Sequence, residues 1–183
     1  MISASVITSF LVRLTSALSK GLMLVLVIPL AVAILFTYDV MSTLTLIGTT
    51  LLIEYGAAPV GVLMGLPPVF IFFVLSCVAL GVMIALYDIF DSISEHSEHV
   101  RNFLERSKKR AAESWILSRY GIYGLVIVAL TLGFYLCPPI SWVCGWDRKT
   151  SIVCTMAGYC IVTIALIIAA PFVLAYMPWV VPV

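Results

Sequence analysis

The sequence predicts an all-α integral membrane protein: three transmembrane helices plus two re-entrant helical hairpins in an inverted repeat, with one cytoplasmic amphipathic helix. Three observations predict it. Of the 183 residues, 63% are hydrophobic and only 10% are charged, whereas soluble domains carry about 25% charged residues. Charge is also concentrated: residues 88–119 hold 6 of the 9 acids, 6 of the 10 Lys and Arg, and both histidines. On each side of that stretch, a short apolar segment broken by Gly and Pro precedes a long apolar span. The chain reads as a single membrane domain over 1–183. Within it, 1–38 is an N-terminal helix and first span, 40–87 a hairpin-plus-span repeat, 88–119 the amphipathic helix, and 121–176 the second hairpin-plus-span repeat. A net charge of +1 gives no basis for nucleic-acid binding. Cys77, Cys154 and Cys160 fall inside apolar spans, so the five cysteines do not read as a disulfide framework.

In residues 1–19, Ile2, Val6, Phe10, Leu14 and Leu18 recur at four-residue steps. That spacing suits either a helix lying in the membrane interface or an extension of the first span. The span itself is expected over Gly21–Tyr38, retained rather than cleaved because no small-x-small site follows it. Pro29 inside it predicts a kink. The run MSTLTLIGTTLLI after it is too short to cross unaided. It is followed by Glu54, Gly56, Pro59, Gly61 and Gly65 and by Pro67-Pro68, and a broken 27-residue unit of this kind is expected to enter and leave on one face. Broken backbone is tolerated at membrane depth only where protein or a water-filled cavity covers it. Residues 69–87 form the second span.

In the polar stretch, Ile89, Ile93, Val100, Phe103, Leu104, Ala111 and Trp115 keep one helical face apolar. Ser92 and Glu95 have capping-box spacing. Early acids and late bases suit the helix dipole. His96 and His99 read as polar-face residues, since no carboxylate or Cys pattern around them completes a metal site. After Gly121 the pattern repeats: a short apolar run with Gly124 and Gly133, a break at Cys137-Pro138-Pro139, the charged turn Asp147-Arg148-Lys149, and a long span over Thr150–Tyr176. The apolar tail from 171 to 183 suits docking to other membrane subunits or a second copy, in addition to the lipid bilayer.

The positive-inside rule selects hairpins over crossings. With the N-terminus cytoplasmic and both broken segments returning to their own face, all ten Lys and Arg lie on one side. If 121–146 crossed, Arg148 and Lys149 would be exported. The resulting hairpin-plus-span units have opposite orientation, as in many secondary transporters.

Glu54-Tyr55-Gly56-Ala57-Ala58-Pro59 with Gly65, Arg119-Tyr120-Gly121-Ile122-Tyr123-Gly124-Leu125, and Gly145-Trp146-Asp147-Arg148-Lys149 together resemble the small multi-drug export family of the DedA-like group, over roughly residues 50–170. The resemblance implies two facing hairpins and the movement of an ion-coupled solute or a lipid-phosphate carrier. The chain departs from the family pattern at Tyr55, which stands where an Arg is usual, and in its second hairpin, where prolines come late, at Pro138 and Pro139.

Glu54 is the one ionisable residue expected deep within either hairpin, and an intramembrane carboxylate is by default a functional hypothesis. It is the expected transport and proton-coupling residue; the bland reading is that it caps amides of a broken helix. Gly56, Pro59, Gly65, Pro138 and Pro139 are expected to shape the hairpin turns. Arg119 and Arg148 are the expected contacts for an anionic group. No catalytic set, P-loop or zinc motif is present, so neither an enzyme, a cofactor nor a metal is expected. The competing class is a non-catalytic structural subunit of a larger membrane complex.

Overall fold

Polar hydrogen-bonding groups at the ends of apolar runs set the element boundaries. The computed structural model describes residues 4–96 and 121–175. All regular elements there are helical, with no strand among the described residues. Helix α1 (Ala4–Leu22) passes into one widened π turn (Met23–Val27) and then α2 (Ile28–Leu35). Pro29 has no N–H to donate, and the Ile28 amide reaches back to the Met23 carbonyl, so the break in the ladder is absorbed in that turn. Nothing between residues 4 and 22 breaks the helix, so the N-terminal segment is an extension of the first span. The apolar part of the run is Leu14–Leu35, starting and ending earlier than the expected 21–38. Thr37 closes it with φ 56°.

Asp39 then starts α3 (Val40–Ile53) by accepting from the Ser42 amide and hydroxyl, both at 2.7 Å. Asp147 does the same for α8 (Arg148–Ala175), accepting from the Thr150 amide and hydroxyl at 2.9 Å. Hydrogen bonds from the Ser42 hydroxyl and amide hold the Asp39 carboxyl below its ordinary value, and those from the Thr150 amide and hydroxyl do so for Asp147.

A 3-10 turn (Glu54–Ala57) separates α3 from the short α4 (Ala58–Leu63). After Gly65, at φ 72°, the chain enters α5 (Pro68–His96). Helix α5 runs on without interruption into the stretch expected to be a separate amphipathic helix. Ser92 is therefore no N-cap: it lies inside α5, its hydroxyl donating to the Asp88 carbonyl at 2.7 Å. The rest of that stretch, with His99 and Arg119, lies outside the described residues, as does the tail beyond 175. The second half contains a 3-10 turn (Gly121–Tyr123), α6 (Gly124–Leu132), α7 (Cys137–Cys144) and α8.

Among the described residues, four helical runs are long and apolar enough to cross a membrane: Leu14–Leu35, Val40–Leu63, Pro68–Ile93 and Arg148–Phe172. The second is the run broken at Glu54. Taken singly, α3 is ~21 Å long, α6 ~14 Å and α7 ~12 Å, all short of a ~30 Å hydrocarbon core. Apolar side chains such as Leu35, Leu52 and Val69 face outward, as a lipid environment allows.

The centre is α5. Its Ile71, Val74, Leu75 and Val78 are fully buried, with Leu46 and Ile47 of α3, Phe134 and Tyr159 in the same cluster. Helix α5 meets the first span where Gly21 and Gly81 face each other. A Cβ at Gly81 would stand 2.8 Å from Val25 Cγ2 and 3.0 Å from the Gly21 carbonyl oxygen, so only small residues allow this approach. A second small core joins Leu125, Ala129, Cys137 and Cys154.

Candidate functional site

Both broken segments point their breaks at each other. The first turn begins at Glu54, whose backbone takes φ 54°, ψ −129°. That region is unfavourable for any residue with a Cβ, and holding it costs about 1–3 kcal/mol. The second turn begins at Gly133, with φ 90°, ψ 173°, a conformation essentially reserved for glycine. Gly133 is also where the Glu54 side chain arrives: a Cβ there would overlap the carboxylate itself.

Two reciprocal hydrogen bonds join the turns. The Phe134 amide donates to Glu54 Oε2 at 3.0 Å. The Tyr135 hydroxyl donates to the Leu51 carbonyl at 2.7 Å. Each is a side chain from one broken segment serving a backbone group of the other, at a point where helical pairing has stopped. Around them Phe134 meets Tyr159 edge-on at 5.2 Å between centroids, and Tyr55 lies 6.2 Å from Tyr159. Glu54 is half-buried, between the outward-facing Leu52 and the buried Ala57 and Ala58. In chemical terms the site is a titratable acceptor whose donor belongs to another structural unit.

The other sequence-predicted residues divide. Gly56 lies in the first turn, beside Ile53. Pro59 is the second residue of α4, and Gly65 lies at its exit. Pro138 and Pro139 lie in the first turn of α7, where a missing N–H costs nothing; the turn itself is made by residues 133–136. Arg119 is outside the described residues. Arg148 is already engaged: it pairs with Asp88 at 2.7 Å and Asp91 at 3.6 Å, donates to the Ile84 carbonyl at 3.4 Å, and lies over the Tyr87 ring. Lys20 reaches the same Asp88 at 3.7 Å. Among the described residues no group of His, Cys, Asp and Glu is placed to hold a metal.

Sequence reasoning missed Gly133, Phe134 and Tyr135 as partners of Glu54. The available signal was a glycine followed by two aromatics in the middle of a short apolar segment.

No curated protein and no solved structure matches the chain. The sequence profile of the family described as "Putative small multi-drug export protein" matches residues 54–167. The matched region starts at Glu54 itself and takes in both turns, α5 and most of α8. Because the match covers more than half of the sequence, the chain belongs to this family of small multi-drug export proteins.

Proposed function

We propose that the chain is a membrane transporter that moves a small solute or a lipid-phosphate carrier, with Glu54 coupling the movement to protons. The observation that carries the reading is the single carboxylate of one broken segment closing on the backbone amide of the other. Ionised, Glu54 is a charge-assisted acceptor for the Phe134 amide and holds the turns together. Protonated, it is a weaker acceptor and the contact loosens. A solute that favours one of the two arrangements is then coupled to the proton through its differential affinity for them. Residues 40–66 and 121–146 form two re-entrant hairpins dipping from opposite faces, the N-terminus is cytoplasmic, and the two hairpin-plus-span repeats are inverted. The convergence of both ends of the first segment supports this: Tyr38 before α3 and Phe70 after α4 have ring centroids 4.5 Å apart. The family's export description is consistent with the reading.

The test is Glu54→Gln in proteoliposomes, with flux of candidate solutes and lipid carriers followed across pH. Gln keeps an acceptor for the Phe134 amide and removes the titration, so the variant should fold and lose pH-dependent flux. Flux equal to the parent at every pH overturns the coupling role. A second reading, a non-catalytic structural subunit, is favoured by the rings of Phe134, Tyr159 and Tyr55 filling the space beside the two turns. Purification at native abundance distinguishes the readings, since a structural subunit should bring a stoichiometric membrane partner with it.

A further inference from the structure

A cavity that shares no residue with the Glu54 site lies at the end of the first span. It has a volume of about 230 Å³ and is lined by Val32, Phe36, Tyr38, Val69, Phe70 and Phe73. The sequence assembles this lining from two places. Val32 and Phe36 stand one turn apart at the end of α2. Thr37, at φ 56°, then turns the chain, and Tyr38 stacks on Phe36 with the ring planes 13° and the centroids 6.0 Å apart. After Pro67-Pro68, the first turns of α5 supply Val69, Phe70 and Phe73. The Phe70 ring meets Tyr38 at 4.5 Å between centroids. Phe70 is buried and makes the floor, whereas Phe36 and Val69 are exposed and make the rim.

Aromatic rings at the end of a span ordinarily anchor it at headgroup level. Here four of them line a space several times the ~30 Å³ share of one water. Ring faces carry the negative end of the aromatic quadrupole and attract cations. The surroundings have the same sign. Between Lys20 and Asp88 the sequence has two charged residues, Asp39 and Glu54, both acidic. Asp39 follows Tyr38 directly, is exposed, and caps α3 as a carboxylate. Lys20 precedes Phe36 by sixteen residues, ~24 Å of helix.

We propose that this pocket binds a free quaternary ammonium compound with apolar arms. A metal ion or a primary ammonium would shed tightly held water, and the Tyr38 hydroxyl is the one polar side-chain group of the lining to replace it. A quaternary nitrogen is already shielded by its own alkyl groups, and such cations are bound by aromatic cages. An anion would meet ring faces and the Asp39 carboxylate. A choline lipid headgroup has a suitable cation but brings a phosphate with it, and the segments around the pocket, residues 21–87, contain no Lys or Arg to receive that phosphate. Recognition here needs neither Glu54 nor a proton, so it does not rest on the coupling role proposed above.

Benzyltrimethylammonium is the probe, titrated by calorimetry into the full chain in maltoside micelles with empty micelles subtracted. The parent should bind it saturably, and absence of saturable binding overturns the site. Phe36→Leu with Tyr38→Leu keeps the wall apolar and removes two ring faces, so Kd should rise about tenfold; an unchanged Kd in the folded variant overturns the cage. Asp39→Asn keeps an acceptor for Ser42 and removes the charge, so Kd should rise about two- to fivefold and lose most of its salt dependence. Neopentylbenzene has the shape of the probe with carbon in place of the charged nitrogen, and should displace it at least about tenfold less well than unlabelled probe. Equal displacement makes the pocket a general apolar slot, a lipid-tail site included, and overturns the proposal without any variant. Phosphocholine should compete more weakly than choline; stronger competition assigns the pocket to lipid headgroups and overturns the free cation. Glu54→Gln should leave the Kd unchanged, which keeps this test separate from that of proton coupling.

Discussion

Glu54 and Gly133 are a matched pair, and each explains the other's oddity. Glu54 holds a backbone conformation that a glycine would hold more easily, so the value of the position lies in its carboxylate. Gly133 leaves the room in which that carboxylate sits. Gly133→Ala adds a Cβ both to a glycine-only conformation and to the carboxylate's place. It should cost about 1–3 kcal/mol for the backbone alone, and an unchanged thermal midpoint in detergent would refute that account. The Asp39 and Asp147 caps give a second expectation at this scale. Both carboxyls titrate below the ordinary 3.8. Their contribution to stability is fully present above pH 3.8 and is lost as pH falls through the lower folded values. Asp39→Asn with Asp147→Asn keeps acceptors that do not titrate in this range. Its thermal midpoint should fall less than the parent's between about pH 4 and pH 2.5, and coincident acid limbs would show the caps to be irrelevant.

At the scale of elements, composition, segment length and Gly/Pro breaks made most of the helices legible. Pro29, Pro59, Pro138 and Pro139 all lie near helix breaks, because a missing N–H restricts where a helix can tolerate them. Two features were not legible. The continuity of α5 to His96 was hidden because a change from apolar to polar residues looks like a boundary, whereas the backbone ladder is indifferent to what the side chains meet. The pairing of the two turns was hidden because the Phe134 amide and the Tyr135 hydroxyl lie 80 or more residues from their acceptors, the Glu54 carboxylate and the Leu51 carbonyl, and no local pattern encodes such a pairing. The close approach of α5 to the first span also belongs to this scale. Gly81→Leu forces a branched side chain against Leu24, Val25 and the Gly21 carbonyl. It should destabilise by about 1–3 kcal/mol, measured as a drop in thermal midpoint; an unshifted midpoint would mean that the helices separate freely.

For the whole molecule, the ion cluster is the clearest orienting feature. Lys20, Asp88, Asp91 and Arg148 come from the first span, α5 and α8 and meet at one end. The starts of the first and last spans thus lie with the polar end of α5, on the face proposed to be cytoplasmic. Thr37 and Gly65 lie near the opposite end, by the Tyr38 and Phe70 rings. With the five native cysteines replaced, Lys149→Cys should resist an impermeant thiol reagent applied to intact cells and react after lysis, whereas Thr37→Cys should react in intact cells. Labelling of the Lys149→Cys variant from outside would reverse the proposed orientation or make 121–146 a crossing.

The bond between Glu54 and the Phe134 amide also has a history within each molecule's synthesis. Its two residues lie 80 positions apart, and at about 5–20 residues per second a ribosome needs about 4–16 s to deliver the second after the first. For that interval the nascent first half must shelter an acid whose partner does not yet exist. Its final shape is therefore deferred until the second half arrives, and a chain that stalls before residue 134 presents the cell with an unfinished membrane insert.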